Sequence, residues 1–462
     1  MDEQLIAELR AAVPDVVTDP DRLRSYRRDE ADLAEHGEPL VVVRPRTTGQ
    51  VSSVLRAASR HGVPVVAQGA RTGLSGAANA IDGAIVLSLT GMDEILELDA
   101  DNRIAVVQPG VVNADLRRAA AACGLAYPPD PGSWETSTIG GNVATNAGGM
   151  CCVKYGVTSE YVLGLEVVLA DGEVLSCGRR TAKGVAGYDL THLFVGSEGT
   201  LGVITQITLR LRPAPPSSLT MVAVFGTVAA AGAAVEAIMT GGGQPSMLEL
   251  LDRVHLNAIE EYQPMGLPTE AAAILLAAVD TGPQATADLA AIASACRRVQ
   301  ALEVYTATDA VEADALLAAR RLAHPALEGL ATKLFPAGGG LIIDDIAVPR
   351  TRLVELIEGV ERIAAEHDMT VGLVGHAGDG NLHPNIVFDR TDPSSVQRGR
   401  RVFDDIMALG LALGGTSTGE HGIGSLKRDW LAREAGPVGL RVHRAIKAAL
   451  DPGNILNPGK LF

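Results

Sequence analysis

The chain has 462 residues, and at about 100–200 residues per domain this length predicts two to four domains. Hydrophobic residues make up 47%, too many for a disordered chain, and 39 basic against 55 acidic residues give a formal net charge of −16, which argues against a nucleic-acid partner. Glycine is over-represented, with 51 residues or about 11% against a usual ~7%, so we expect many tight turns or close backbone approaches.

Three further patterns bear on location and redox state. No stretch approaches the ~20 apolar residues of a membrane span, and the longest run, 271–279, fits a buried strand or a short helix. The start Met1-Asp2-Glu3 lacks the basic residues and apolar stretch of a signal peptide, so we expect a cytoplasmic protein, with attachment to the membrane periphery left open. The cysteines are odd in number without a CxxC pair, which favours reduced thiols: Cys123, Cys151, Cys152, Cys177 and Cys296.

Helical and strand patterns alternate in the first third of the chain. Spacing of apolar residues predicts helices at 5–13, 49–61 and 113–123, and strands at 63–67, 84–89 and 104–108. A glycine loop at 68–76 directly follows the first of these strands.

Turn formers then crowd residues 128–149. A hairpin pattern follows at 161–169 and 173–177, and a strand is predicted at 203–211 after the glycine-rich segment 196–202. The run Pro213-Ala214-Pro215-Pro216 cannot extend a strand ladder and indicates a domain boundary.

Beyond this boundary, Ala-rich amphipathic helices alternate with strands such as 218–225 and 271–279. This pattern predicts an α+β domain of helices on a sheet.

The glycine loops suggest a dinucleotide or phosphate ligand. The spacing Gly69-x3-Gly73-x2-Gly76 is neither the GxGxxG of nicotinamide-binding units nor a P-loop, and alone it is more often an ordinary turn. Residues 133–149 combine hydroxyls, amides and exposed backbone with apolar residues, which favours a buried lining for a large polar ligand over a solvated loop.

Two histidine motifs lie near the far end, at 375–385 and 417–424. Two imidazoles and one carboxylate suit a divalent ion such as Zn²⁺ or Mn²⁺. Alternatively, His376 and His383 merely flank an Asp-Gly turn between strands 371–374 and 385–388.

These motifs together resemble FAD-linked oxidases and dehydrogenases of the vanillyl-alcohol oxidase (PCMH-type) superfamily, in the branch that acts on D-2-hydroxy acids. The resemblance covers roughly residues 38–462 and rests on an ordered set of motifs. It implies an α+β fold with a PCMH-type FAD-binding domain at 1–213, a substrate cap domain of helices on an antiparallel sheet at 214–412, and a C-terminal helical segment at 413–462 that returns to the flavin. The motifs are 69–76, 129–131, 138–142, 146–149 with 154–156, 196–202, both histidine motifs and the ending 451–459.

The resemblance also implies the cofactor and its contacts. Residues 68–78 contain no histidine that could carry flavin covalently, so we expect non-covalent FAD. The implied FAD-binding residues are Ala70, Arg71, Thr72, Gly73, Leu74, Ser75, Ser137, Thr138, Gly140, Gly141, Asn142, Ala147, Gly148, Gly199, Ile204 and Asn457.

For catalysis, the resemblance implies a divalent metal (Zn, Mn or Fe) on His376, His383 and Glu420, with His421 as the general base. The alternative for His421 is a purely structural role, at the start of a helix or in the core. The implied substrate-binding residues are Arg320, Asn385 and Lys427; without the resemblance, Arg320 and Arg321 would be the solvated face of a helix.

One departure from the family pattern bears on specificity. Dehydrogenases of D-2-hydroxyglutarate carry a lysine where this chain has Ile343, so the resemblance favours D-lactate or glycolate as substrate, although Arg321 or His324 could compensate. A D-2-hydroxyglutarate dehydrogenase therefore remains an alternative.

The chain has no iron–sulfur or haem motif, so electrons must pass to a separate electron-transfer protein, a quinone or, less readily, oxygen. A homodimer is left open, and so is an FAD subunit of a multi-subunit glycolate oxidase that is inactive alone. A non-redox relative of ether-lipid synthesis is disfavoured because the chain lacks the histidine run of such enzymes.

Overall fold

The structure, a computed structural model, describes residues 2–462. The chain divides into two compact units, each discontinuous in sequence. The first holds the residues up to Gly148 together with Val157–Ala214 and Glu420–Phe462, and the second holds Gly149–Gly156 and Pro215–Gly419. The expected domains 1–213, 214–412 and 413–462 stay predictions, because compactness does not show which segments fold independently.

Two main sheets organise the first unit. The smaller contains two parallel pairs and one antiparallel pair, in the order Val16–Val17, Val41–Val43, Ile85–Ser88, Val65–Gln68. The larger is antiparallel throughout, in the order Ile95–Asp99, Ile104–Val107, Val203–Arg210, Val162–Val168, Val174–Gly178. Leu125–Ala126 and Arg212–Pro213 form a short separate ladder.

Helices of the first unit cover these sheets. Thr48–His61 begins at a Thr47 cap and ends at Gly62, whose φ of 63° suits a left-handed helix terminus. Its apolar residues share one core with the small sheet and with Ile455 and Leu456 near the C-terminus. The α-helices are Asp2–Ala12, Pro20–Leu23, Thr48–His61, Asn113–Ala122, Ile139–Thr145, Leu190–Phe194 and Arg428–Leu450, which kinks at Gly436.

The second unit is built on one eight-stranded antiparallel sheet. Seven strands follow one path, and Ile346–Ala347 pairs separately with Asn381–Asp389. The order along the path is Glu303–Thr306, Leu219–Phe225, Ala273–Val279, Met247–Asp252, Val371–His376, Asn381–Asp389, Gly339–Ile343.

Helices pack on the sheet of the second unit. Arg253–Tyr262 and Ala323–Leu334 contribute Leu256, Ile259 and Leu327 to a core with the strands. The remaining helices are Val228–Thr240, Ala285–Arg298, Ala310–Arg321, Leu353–Glu366, Pro393–Ala412 and the short Cys152–Tyr155. This layered arrangement confirms the predicted α+β class.

Two local predictions were wrong in detail. Residues 139–145, expected within a loop, form the helix Ile139–Thr145, because Thr138 caps it by accepting the Gly141 N–H at 3.2 Å. The strands around the first histidine motif, Val371–His376 and Asn381–Asp389, are longer than the predicted 371–374 and 385–388, so both histidines belong to strands and His376 directly precedes the turn. Among the described residues, no helix is both long and apolar enough to cross a membrane.

Candidate active site

Four buried polar side chains share one face of the second unit's sheet. Glu249 and His376 lie on the adjacent strands Met247–Asp252 and Val371–His376, and His383 and Asn385 lie on the next strand. Side chains alternate between faces along a strand, so this face also carries the apolar Leu251, Val374 and Val387. The four polar residues are at most 5% exposed, and burying such groups is unfavourable unless they find partners.

Glu249 connects two of the predicted site residues. Its Oε1 lies 2.8 Å from His376 Nδ1, and its Oε2 accepts from Arg320 Nε at 2.7 Å. Burial alone would raise the pKa of Glu249, but the charges and hydrogen bonds of His376 and Arg320 outweigh it and hold the pKa below its ordinary value. The ionised carboxylate favours the tautomer of His376 with a proton on Nδ1, and the neutral imidazole in that tautomer would offer Nε2 to a metal.

A second buried carboxylate, that of Asp345, lies next to His383. His383 Nδ1 lies 3.5 Å from Asp345 Oδ1, and the two imidazoles meet edge to face with ring centroids 5.1 Å apart. Asp345 is fully buried and accepts from Asn381 Nδ2 at 2.8 Å and from Thr418 Oγ1 at 2.6 Å. His376 thus has the imidazole–carboxylate hydrogen bond that orients metal-binding histidines in many proteins, while Asp345 lies at a longer distance from His383 Nδ1.

Asn385 lies directly across the ladder from Ile343. Its Nδ2 donates to the His383 carbonyl at 2.8 Å, which leaves its Oδ1 as an acceptor on the site face. Ile343 packs with the apolar core and offers no charge at this position. The two residues considered as substitutes are engaged with their own helices, since Arg321 contacts the Asp314 carbonyl at 3.5 Å and His324 lies 3.6 Å from Glu328.

In the first unit, the first two glycine-rich loops touch each other. The first loop follows the strand Val65–Gln68, and a Cβ at Gly69 would clash with Thr138 Oγ1 of the second. Glycine is therefore required at position 69 for this close approach. The predicted FAD residues of the second loop all lie in or next to the helix Ile139–Thr145.

These loops carry polar atoms that suit a bound dinucleotide. Ser137 Oγ and Asn142 Nδ2 are buried, and within residues 2–462 neither has a hydrogen-bond partner. Arg71 adopts a left-handed backbone with φ of 62°, and no carboxylate of the described chain pairs with its half-buried guanidinium. Unsatisfied donors of this kind fit the hydroxyl and phosphate oxygens of FAD.

Glu198 connects the third glycine-rich segment, 196–202, to the second histidine motif, 417–424. The buried carboxylate accepts the N–H groups of Ile423 and Gly424, each at 2.7 Å. Burial raises the pKa of Glu198 to about 7, although these two N–H groups and the charge of Lys460 oppose the increase.

The same motif also reaches the other two loops. A Cβ at Gly148 would clash with the Glu420 carboxylate, and the N–H groups of Ser425 and Leu426 both donate to the Ser75 carbonyl at 3.1 Å. His421 Nε2 lies 3.6 Å from Glu420 Oε1. The first unit therefore brings Glu420 and His421 together with all three glycine-rich segments.

The remaining predicted residues lie as follows. Lys427 is 1% exposed at the start of the last helix, and Asn457 Nδ2 donates to the carbonyls of Ala77 and Glu198. Gly199 lies in the turn after Glu198, and Ile204 is buried in the strand Val203–Arg210. Residues 416–419 stay on the second unit through Thr416 and Thr418, and Glu420 is the next residue in the chain.

The sequence interpretation missed Glu249, Asp345 and Glu198. A signal existed for the first two, because Glu249 interrupts the apolar run Met247–Asp252 and Asp345 follows Leu341-Ile342-Ile343-Asp344. A charge within an apolar strand requires a buried partner. Glu198 was seen only as part of a glycine-rich motif.

Comparisons with known proteins identify the family. Residues 214–461 match the family described as FAD linked oxidases, C-terminal domain, and residues 39–178 match the FAD binding domain. The glycolate oxidase subunit GlcD of Bacillus subtilis is 44% identical over 426 residues, covering 92% of this chain and 89% of that protein. The chain belongs to the FAD-linked oxidases.

A second relative and a solved structure are also similar to this chain. The D-lactate dehydrogenase of Archaeoglobus fulgidus is 37% identical over 442 residues, 95% of each chain. The structure of p-cresol methylhydroxylase with substrate bound has a TM-score of 0.80 at 18% identity, covering 99% of this chain and 96% of that one, which confirms the PCMH-type fold. The protein is an FAD-dependent oxidoreductase.

Proposed function

We propose that this FAD-linked oxidase oxidises a small D-2-hydroxy acid, D-lactate or glycolate, to the 2-oxo acid. The observation that carries the proposal is the pair of contacts made by Glu249, which holds an imidazole and a guanidinium side by side on one sheet face. A guanidinium matches a carboxylate in geometry and charge, and an imidazole is a metal ligand. The names of the GlcD and D-lactate dehydrogenase relatives support this substrate class.

We propose His376, His383 and Glu420 as ligands of a divalent metal, Zn, Mn or Fe. The donor set fits, because the carboxylate beside Nδ1 of His376 favours the tautomer that offers Nε2 for coordination. A metal held there would lower the pKa of the substrate hydroxyl and orient the acid.

The chain's own residues then bind the acid and take a proton. Arg320 binds the carboxylate through the guanidinium nitrogens other than the Nε that donates to Glu249, and Asn385 and Lys427 contact the remaining polar groups. His421 takes the hydroxyl proton, because loss of hydride from Cα without deprotonation would leave an unstable protonated carbonyl. FAD, when bound, supplies the acceptor for that hydride.

The FAD contacts also stay proposals at the level of single residues. The two orphaned donors Ser137 and Asn142 and the unpaired Arg71 are the best supported by local structure. The others rest on their positions in the three glycine-rich segments and at Asn457.

Ile343 supports a substrate with one carboxylate. A second carboxylate, as in D-2-hydroxyglutarate, would face an isoleucine opposite Asn385 and lose hydration without gaining a cation. We therefore propose D-lactate or glycolate, and not D-2-hydroxyglutarate, as the preferred substrate.

A second candidate is an FAD subunit that needs partner subunits for activity, since the relative from Bacillus subtilis is named a glycolate oxidase subunit. Assays of the purified chain with an artificial electron acceptor test the function. We expect glyoxylate from glycolate or pyruvate from D-lactate, and none from L-lactate. Absence of product with every small D-2-hydroxy acid would contradict autonomous activity.

A further inference from the structure

The N-terminal segment before residue 39 lies outside the matched FAD binding domain, yet it braces the first glycine loop. Gln68, the last residue of the strand before the loop, donates its Nε2 to the Tyr26 carbonyl at 2.8 Å. Within the loop, the Gly73 carbonyl accepts the Glu30 N–H at 2.9 Å. The start and the middle of the loop are thus hydrogen-bonded to residues 26–30.

Tyr26 also contacts a loop side chain directly. The guanidinium carbon of Arg71 lies 4.8 Å from the centroid of the Tyr26 ring, within the range of a cation–π interaction. The ring itself is fixed, because it packs against the core residues that include Leu23 and Val42. Tyr26 is therefore a rigid platform for a flexible cationic side chain.

Arg71 has the character of an anion-binding group. An L-residue with φ of 62° is strained, and a strained residue that persists inside a glycine-rich loop points to a function for its side chain. Burial lowers the pKa of Arg71, so the charge is partly desolvated, and the described chain provides no acidic partner for it. The guanidinium lies over the Tyr26 ring instead.

We propose that Tyr26 is a positioning residue for the FAD diphosphate, because its ring holds the Arg71 guanidinium in the orientation that binds the phosphate oxygens. The proposal rests on the FAD contact assigned to Arg71. A guanidinium stacked on a ring keeps its edge free for bidentate hydrogen bonds while losing less rotamer freedom when the anion binds.

The test is a titration of the flavin-free full chain with FAD, in which flavin fluorescence reports binding. Tyr26→Leu should raise the FAD Kd by about 3–10-fold, whereas Tyr26→Phe, which keeps the ring, should stay within about 2-fold of wild type. Tyr26→Met preserves flexible apolar volume without a ring and should behave as Tyr26→Leu, so it replaces that variant if Tyr26→Leu does not fold. Competition by ADP, which carries a diphosphate without flavin, should weaken in parallel.

A double-mutant cycle separates positioning from a general structural effect. On an Arg71→Ala background, Tyr26→Leu should change the FAD Kd by less than about 2-fold. An undiminished effect on that background, or equal FAD binding by Tyr26→Leu and wild type, would overturn the proposal. If Arg71→Ala itself leaves the FAD Kd unchanged, the assigned contact between Arg71 and FAD is wrong as well. If Arg71→Ala raises the FAD Kd but the Tyr26 variants do not, only the positioning role of Tyr26 is wrong.

Discussion

Arg320 Nε donates to Glu249 Oε2 at 2.7 Å, and the other oxygen of the same carboxylate lies 2.8 Å from His376 Nδ1. One buried side chain therefore sets the orientation of the proposed substrate anchor and of a proposed metal ligand. Because Glu249 is fully buried, its removal leaves two polar groups without their partner.

Glu249→Gln should weaken metal binding by about 10–100-fold, since the loss of the carboxylate changes the orientation and basicity of His376. The measurement is metal content after dialysis against graded chelator. Asp252→Asn is the matched control, because Asp252 is an acidic residue of the same strand. Its carboxylate lies 2.9 Å from His255, which is not a proposed ligand. Equal metal retention by Glu249→Gln and wild type would refute the role of Glu249.

Arg320→Lys should raise the KM for the hydroxy acid about tenfold or more, because lysine cannot contact Glu249 and a substrate carboxylate with the same planar geometry. Steady-state kinetics with an artificial acceptor provide the measurement. Arg321→Lys, one residue further along the helix and exposed, should leave KM within about twofold. Similar KM values for the Arg320 variant and wild type would show that the substrate carboxylate binds elsewhere.

Ile343→Lys should shift specificity toward D-2-hydroxyglutarate, because it places a cation opposite Asn385. We expect the ratio of kcat/KM for D-2-hydroxyglutarate to that for D-lactate to rise by about tenfold or more. A variant that folds and binds FAD but keeps the wild-type ratio would mean that this position does not face the substrate.

The buried Glu198 predicts a pH dependence of stability. Its pKa in the folded protein is about 7 against an ordinary 4.5, so the folded state holds a proton that the unfolded state releases. Stability should therefore be greatest below about pH 4.5 for this group and fall as pH rises toward 7, by roughly 3 kcal/mol in total.

Glu198→Gln cannot ionise, so its thermal unfolding midpoint should vary less than that of wild type between pH 5 and 8. Burial also raises the pKa of Asp29, to about 6, so Asp29 lowers stability in the same direction at a lower pH. Asp29→Asn is the control that measures this contribution of Asp29. Parallel midpoint curves for Glu198→Gln and wild type would contradict a buried, proton-holding Glu198.

Local patterns predicted much of the fold. The predicted strand 63–67 and helix 113–123 correspond to Val65–Gln68 and Asn113–Ala122, because apolar periodicity and turn residues dictate such elements locally. The helix Ile139–Thr145 was missed because its Gly140-Gly141 pair disfavours a helix, and capping by Thr138 overrides this.

The partners of the site residues were less predictable. Glu249 is 127 positions from His376, and Glu198 is 225 from Ile423, so no local pattern connects them. The long-range pairing of strands decides these contacts. Motif resemblance supplied the candidate residues, and the structure supplied the carboxylates that orient them.

Anaerobic mixing of the FAD-loaded protein with hydroxy acid measures the proposed transfer of hydride from substrate to flavin. D-lactate or glycolate should bleach the flavin absorbance, whereas L-lactate should not. The His421→Ala variant should keep the oxidised spectrum but bleach about 10²–10⁴-fold more slowly. A flavin that stays oxidised with every small D-2-hydroxy acid, or an unchanged rate in His421→Ala, would contradict the proposed reaction.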